Sequence, residues 1–278
     1  MHIFIKIIQQ SAKKVTSFLY TTKIGRLYMQ HVIDEILRQN YKVRHNSVNM
    51  LFHTPNWLNH YRAKTFSEKE PETLEWIDSV ALNSVVWDIG ANVGIYSIYL
   101  AKLKQCRVYA FEPSVFNLEF LTRNIFLNGL QYLITVVPLS LSNHVSENLF
   151  RMSSTQWGGA LSTFGENLDQ LGNEFKEVFE YKTIGISMDQ AVSFLNLPFP
   201  DHIKIDVDGI EHFILSGGSS VLLNVKSVLV EINDDFDNQS VLSTQLLKDA
   251  GLVLYKKCFE GVPNGLKQYN QWWTRETL

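Results

Sequence analysis

The sequence predicts an α/β fold: a doubly wound, mostly parallel sheet with helices on both faces and an antiparallel last strand. Three observations predict it. From Val85 onward, apolar β-rich runs alternate with helix-periodic stretches, the order that builds a parallel sheet covered on both sides. A turn carrying Gly90 and Gly94 separates the first run from the first helical stretch, where such sheets bring backbone close to a ligand. The last two runs are joined across Gly261, Pro263, Asn264 and Gly265, a connection suited to a hairpin and so to a reversed edge strand.

Each element follows from its own pattern. Ile3, Phe4, Ile7, Ile8, Val15, Phe18 and Leu19 recur at helical spacing, with Lys6, Lys13 and Lys14 between them. Such a helix either lies on a membrane surface or packs on the body or in a dimer interface; packing is the expectation. Residues 24–39 are also helix-periodic, and 41–54 alternate as a hairpin around Asn46 and Ser47. Pro71, with acidic residues about it, marks a helix start. Then come VVWDIG, a helix in IYSIYLAKL, the strand RVYAFEP, a helix in FNLEFLTRNIFLN and the strand YLITVVPL. Later come the strand HIKIDVDG, a helix over 210–223, the strand SVLVEI, a helix over 240–250, and the terminal pair LVLYKKCF and QYNQWWTR. Residues 141–187 interrupt the alternation, and so long a connection reads as a functional insertion over the open end of the sheet. The expected division is an N-terminal helical and hairpin extension over 1–78 and the doubly wound domain over 79–278.

Composition narrows the function. With 45% hydrophobic and 19% charged residues the chain is globular, and 25 basic against 28 acidic residues give no bulk attraction to nucleic acid. Two cysteines, Cys106 and Cys258, exclude a disulfide scaffold and a paired-CxxC zinc site, and fit a reducing, cytoplasmic setting. The N-terminal apolar run is broken by Lys6 and by Gln9, Gln10 and Ser11; neither a transmembrane segment nor a secretory leader is expected.

The glycine turn, Asp88-Ile89-Gly90-Ala91-Asn92-Val93-Gly94, is not a dinucleotide fingerprint. That would need glycine at 90, 92 and 95, where the chain has Gly90, Asn92 and Ile95. It lacks the Gly-Lys-Ser/Thr ending of a phosphate-cradling loop as well. Instead Asp88 ends the strand, and an acid there repels pyrophosphate but attracts an ammonium group. Glu112, at the end of the next strand, stands where a ribose-binding carboxylate is expected. One acid for an amino acid moiety and one for ribose hydroxyls suit S-adenosylmethionine. Capping by Asp88 and a solvated Glu112 are the bland alternatives.

A strand covered on both faces should be nearly all apolar, as VVW and SVLVEI are expected to be. HIKIDVDG breaks the rule: alternation sends His202, Lys204, Asp206 and Asp208 to one side. Buried charges are costly unless paired or placed at a site, so Lys204 and Asp206 read as a charge pair facing cofactor or substrate. Asp208 and Glu211 have capping-box spacing, which accounts for them equally well. A divalent cation on Asp206, Asp208 and Glu211 is the minority alternative; no metal is expected.

These segments resemble a known family. DIGANVGIYS, AFEP with Asn117 four residues after Pro113, TRNIFLN, KIDVDGIE and SVLVEI, preceded by YRAKTFSEKEPETLEWI, are together similar to the FkbM-type S-adenosylmethionine-dependent methyltransferases over residues 61–278. The resemblance implies a class I (Rossmann-like) methyltransferase fold. It also implies methyl transfer to a hydroxyl of a sugar, polysaccharide precursor or natural product. It places Asp88, Gly90, Asn92, Gly94, Glu112 and Asn117 around the cofactor and Asp206 beside the reacting methyl. The first candidate base is Asp206, tuned by Lys204, with His202 the weaker candidate. An NAD-dependent oxidoreductase and a non-catalytic cofactor-binding protein are the alternatives. A small-molecule or saccharide acceptor is the expected partner, with a homodimer through the N-terminal extension and weak membrane contact as lesser expectations. Trp157, beside two glycines, is expected either to stack on a sugar ring or to anchor the insertion.

Overall fold

In a computed structural model, the chain is described for residues 2–258 and 267–275. The turn holding Gly261, Pro263, Asn264 and Gly265 lies outside the described residues. Helices α1 (His2–Tyr20) and α2 (Lys23–Ile36) come first, and Thr22 caps α2 by accepting from the Gly25 amide. Strands β1 (Asn40–His45) and β2 (Val48–His53) follow as the expected antiparallel hairpin, turning at Asn46 with φ 50°, a conformation asparagine tolerates. Then come α3 (Trp57–Lys64), capped by Asn56, and α4 (Pro71–Ser79), which opens on its proline.

The doubly wound part begins with β3 (Val85–Ile89), α5 (Ile95–Lys104), β4 (Arg107–Phe111), α6 (Val115–Asn128) and β5 (Ile134–Val137). The insertion forms its own sheet from β6 (Ser140–Ser142), β7 (Ser146–Met152), β8 (Ser162–Phe164) and β9 (Phe179–Ser187), ordered β6-β9-β7-β8. After it come α7 (Met188–Leu195), β10 (His202–Ile205), α8 (Glu211–Ser216), α9 (Ser219–Asn224), β11 (Ser227–Asn233), α10 (Asp237–Asp249), β12 (Val253–Lys257) and β13 (Gln268–Thr274). The helix expected over 210–223 is two short ones, broken at Gly217 and Gly218. Side chains there would strike the Ser142 carbonyl oxygen at 2.4 Å and the Met188 methyl at 2.1 Å.

The main sheet has seven strands in the order β12-β13-β11-β10-β3-β4-β5. The last strand in the chain, β13, is antiparallel to both neighbours, as expected, but it is not the edge. It slots between β11 and β12 because Trp272 and Trp273 need burial on both faces, whereas β12 carries Lys256 and Lys257 and suits an edge. Strand alternation divides the core. Trp87, Ile203, Ile205, Val228 and Val230 pack on one side. Val86, Leu229 and Trp272 pack on the other with Phe52, Phe66, Leu74 and Trp76. The stretch from Val43 to Val80 therefore shares a core with the sheet. The first two helices do not: Gly25 is the only buried residue of α2, and α1 has none among its described side chains. Of the two packings expected of the N-terminal region, on the body or in a dimer interface, the first is not found for residues 4–36.

Candidate active site

Parallel pairing of β10 with β3 sets Lys204 beside Asp88 and Ile205 beside Ile89, so both strands end together at the open edge of the sheet. There the chain from β3 turns at Gly90, with φ +84°, so close to β10 that a Cβ would lie 1.9 Å from the Asp206 carbonyl oxygen. Only glycine permits that approach. Asn92 also takes a left-handed conformation, φ 52°, and its amide points back to the next strand.

That amide donates to Glu112 Oε2 at 2.8 Å, and the Ser114 amide donates to Oε1 at 2.8 Å. Burial, only partly offset by these bonds and by the Asn117 side chain, pushes the Glu112 carboxyl up to about 7. Asn117 accepts from the Gly158 amide, and the side-chain amides of Asn92 and Asn117 both donate to the Gly159 carbonyl oxygen. The glycine turn, Glu112 and Asn117 thus form one wall of a cavity whose opposite wall comes from the insertion, including Phe150, Ala160 and Phe164.

Asp88 stands behind this wall. It is 1% exposed, accepts from the Ser97 hydroxyl, and lines neither cavity described here. Its expected contact with a ligand's ammonium group is replaced by a contact inside the fold: burial raises its carboxyl, and Lys204 and Ser97 oppose that rise. Lys204 is buried, donates to Asp206 Oδ2 at 2.7 Å, and lies 5.3 Å from the centre of the Tyr96 ring. Burial alone would lower its pKa, but Asp206, Glu70 and Asp88 outweigh it and hold the ammonium above its ordinary value. Burial would likewise raise Asp206. Lys204, with Lys69 and Arg62 beyond it, wins and keeps that carboxylate below its ordinary value, ionised at neutral pH.

Asp206 lines a second, larger cavity as well, about 620 Å³ against about 70 Å³ for the first. Gly90, Asn92 and Asp208 are also shared by the two. The larger one gathers Arg62 from α3, Glu72 from α4, Tyr96 from α5, Glu231 from β11 and Asn270 from β13. These contributors went unread in the sequence, and only Glu231 carried a local signal: it is a lone acid in a run taken to be apolar. Burial, with repulsion from Asp206 and Asp208, raises Glu231 well above the usual carboxylate range.

The capping box expected of Asp208 and Glu211 is absent. Asp208 sits at φ 62° and accepts from the Leu161 amide at 2.8 Å, tying the insertion to the strand end. Glu211 folds back to accept from the amides of Val207 and Gly209 and from Gln239. It is committed to the turn, so the alternative cation set of Asp206, Asp208 and Glu211 does not assemble. The acids that do converge are Asp206, Asp208 and Glu231, each offering an oxygen within 4.8 Å of the others. Lys204 already brings a cation to Asp206.

His202 is not at the site. It begins β10, bonds the Ser227 hydroxyl through Nδ1 at 2.8 Å, meets Trp76 edge-on and lines neither cavity. Burial pushes its pKa down to about 4. Trp157 also lines neither cavity; its ring packs 5.0 Å from Phe120, and its carbonyl accepts from Asn56 and Asn59. It anchors the insertion, and the sugar-stacking expectation is set aside. The insertion itself reaches the larger cavity through Ala160, Leu161 and Gln170.

A doubly wound sheet whose switch point holds a ribose-type acid and a charged strand end defines a ligand-binding domain. Residues 88–252, more than half the chain, match the model of the methyltransferase FkbM domain, and the chain belongs to that family. Its fold is the class I, Rossmann-like methyltransferase fold. The hexuronic acid methyltransferase AglP of Haloferax volcanii is 31% identical over 174 residues, 61% of this chain and 64% of that protein. The antimetabolite synthetase AmbE of Pseudomonas aeruginosa is 24% identical over 198 residues, 60% of this chain and 9% of that protein. The chain therefore spans less than two thirds of either relative. Among solved structures, a methyltransferase FkbM from Methylobacillus flagellatus superposes with a TM-score of 0.47 at 14% identity, covering 69% of this chain and 43% of that one.

Proposed function

We propose that the protein transfers a methyl group from S-adenosylmethionine to a hydroxyl of a saccharide, with a hexuronic acid as the first acceptor class. The observation that carries this reading is the position of Asp206, a wall of both cavities. The glycine-turn wall of the smaller cavity suits the adenosine end of the cofactor; at about 70 Å³ that cavity does not hold the whole molecule. Glu112 Oε2 accepts from a single backbone amide and keeps a lone pair for a ribose hydroxyl, while Oε1 accepts from the Ser114 amide and, at 3.5 Å, from the Asn117 side chain. Ser140, 3% exposed and lining the same cavity, has no hydrogen-bond partner for Oγ among the described residues and offers one to an adenine ring.

Bound S-adenosylmethionine would supply a methyl group on a sulfonium sulfur, already a good leaving group. The chain's own residues then have to align an acceptor oxygen and take its proton. Asp206, kept ionised by Lys204, is the carboxylate that accepts that proton from an acceptor in the larger cavity. Arg62, half-buried there, commits only Nε among the described residues, to the Gly158 carbonyl, and offers its other donors to an acceptor carboxylate. The relative AglP is a hexuronic acid methyltransferase, which supports the same acceptor class.

Calorimetric titration with S-adenosylmethionine and with NAD, followed by an assay for S-adenosylhomocysteine with uronic-acid saccharides, tests the reading. Binding of the first alone, with product formed only when saccharide is added, is expected. Binding of NAD alone, or no product with any saccharide, contradicts it.

A further inference from the structure

We propose that helices α1 and α2 dock the protein on the surface of an anionic phospholipid bilayer. Phe4, Ile7, Ile8, Val15 and Phe18 recur at three- and four-residue steps, so they lie along one face of α1. Among the described residues nothing covers that face: these side chains are 53–71% exposed. On α2, Ile24, Leu27 and Tyr28 repeat the spacing and are 58–82% exposed. Among the described residues α1 packs on α2 and on no other element to comparable extent, so the apolar face belongs to no core. A row of exposed apolar side chains running along two helices marks an interaction site.

Charge identifies the occupant. All five charged residues before Asp34 (Lys6, Lys13, Lys14, Lys23 and Arg26) are basic, although the whole chain carries a net charge of -3. Apolar residues on one face with lysines on the other are what a helix needs to lie in the interface, its ammonium groups among anionic headgroups. A second copy fits worse. A two-fold pairing would leave these five cations with no anionic groups to meet, whereas an anionic bilayer surface supplies them. The helices lie on the bilayer and do not cross it, for among the described residues no helix is long and apolar enough to span one. The inference rests on these two helices alone and is independent of the proposed reaction.

Flotation of the full chain tests it, using vesicles of phosphatidylcholine with or without added phosphatidylglycerol. The protein should rise with the anionic vesicles, and raised salt should weaken the association. The double variants Phe4→Asp/Phe18→Asp and Lys13→Glu/Lys14→Glu should each lower the floating fraction at least tenfold. Circular dichroism checks that both keep their helical signal. Failure to float with the anionic vesicles overturns the proposal, as does equal flotation with pure phosphatidylcholine. So does a dimer, seen by sedimentation, that the Phe4→Asp/Phe18→Asp change splits while flotation stays the same.

Discussion

The smaller cavity takes its cofactor-side wall from two short stretches, the glycine turn after β3 and the segment after β4. The larger cavity collects Arg62, Glu72, Lys204, Glu231 and Asn270 from five separate elements. The first is built largely from backbone: amides of Asn92 and Ser114 on Glu112, and a glycine pressed on the neighbouring strand. The second is built from side chains that long-range pairing brings together, such as Glu231 opposite Asn270 in the β11–β13 register. A backbone-built wall fixes what binds and leaves little room for variation. A side-chain wall can change its acceptor by substitution while the sheet stays the same.

Substitutions should separate the two. The largest effect is expected at their junction: Lys204→Met would leave Asp206 and buried Asp88 without their cation, a loss of about 3–5 kcal/mol of stability. Chemical denaturation measures it, and an unchanged midpoint would remove Lys204 from its supporting role. Glu112→Ala should weaken S-adenosylmethionine binding at least tenfold, since charge-assisted hydrogen bonds are worth roughly 1.5–3 kcal/mol each. Calorimetry should find the acceptor-side variant Arg62→Ala within about twofold of wild type for the cofactor, while its Michaelis constant for a uronic acid rises about tenfold. If Arg62→Ala disturbed both ligands equally, the two walls would not be separable.

The smallest effect is a pH dependence. Glu112 is raised from 4.5 to about 7 in the folded chain, so the folded state holds this proton more tightly than the unfolded state does. Its contribution therefore falls as pH rises from about 4.5 and is fully lost above about 7. Glu112→Gln has no such proton. Its stability relative to wild type should climb across that window and then level off, apart from a constant offset where its amide faces a backbone N–H. A flat difference from pH 4 to 8 would show that Glu112 titrates at its ordinary value.

The contrast between the walls also explains what the sequence made legible. Gly90, Asn92, Glu112 and the Lys204–Asp206 pair were readable because each acts within a few residues of a strand end. His202 was misplaced because alternation fixes a side chain's face but not its depth. At about 3.3 Å per residue, four residues put it roughly 13 Å from Asp206. Asp88 was placed at the right strand end, but the sequence could not tell that Ser97 and Lys204 would enclose it. Asp208 and Glu211 had capping-box spacing, yet the left-handed Asp208 sends the chain into a turn that Glu211 must hold. Arg62, Glu72 and Asn270 had no local signal, since their meeting depends on α3, α4 and β13 converging on one end of the sheet. The position of β13 inside the edge was equally hidden, because a hairpin connection does not say which of its strands faces solvent.

The central claim is that Asp206 stands between the two ligands as the proton acceptor, and Asp206→Asn tests it most directly. The amide keeps the size of the side chain and an oxygen for Lys204 but cannot take the proton. Cofactor affinity, measured by calorimetry, should stay within about threefold of wild type, while turnover on the saccharide falls by about 10²–10⁴, the usual share of a general base. Turnover at the wild-type rate with normal cofactor binding would contradict the claim and leave the Lys204–Asp206 pair a structural feature of the strand end.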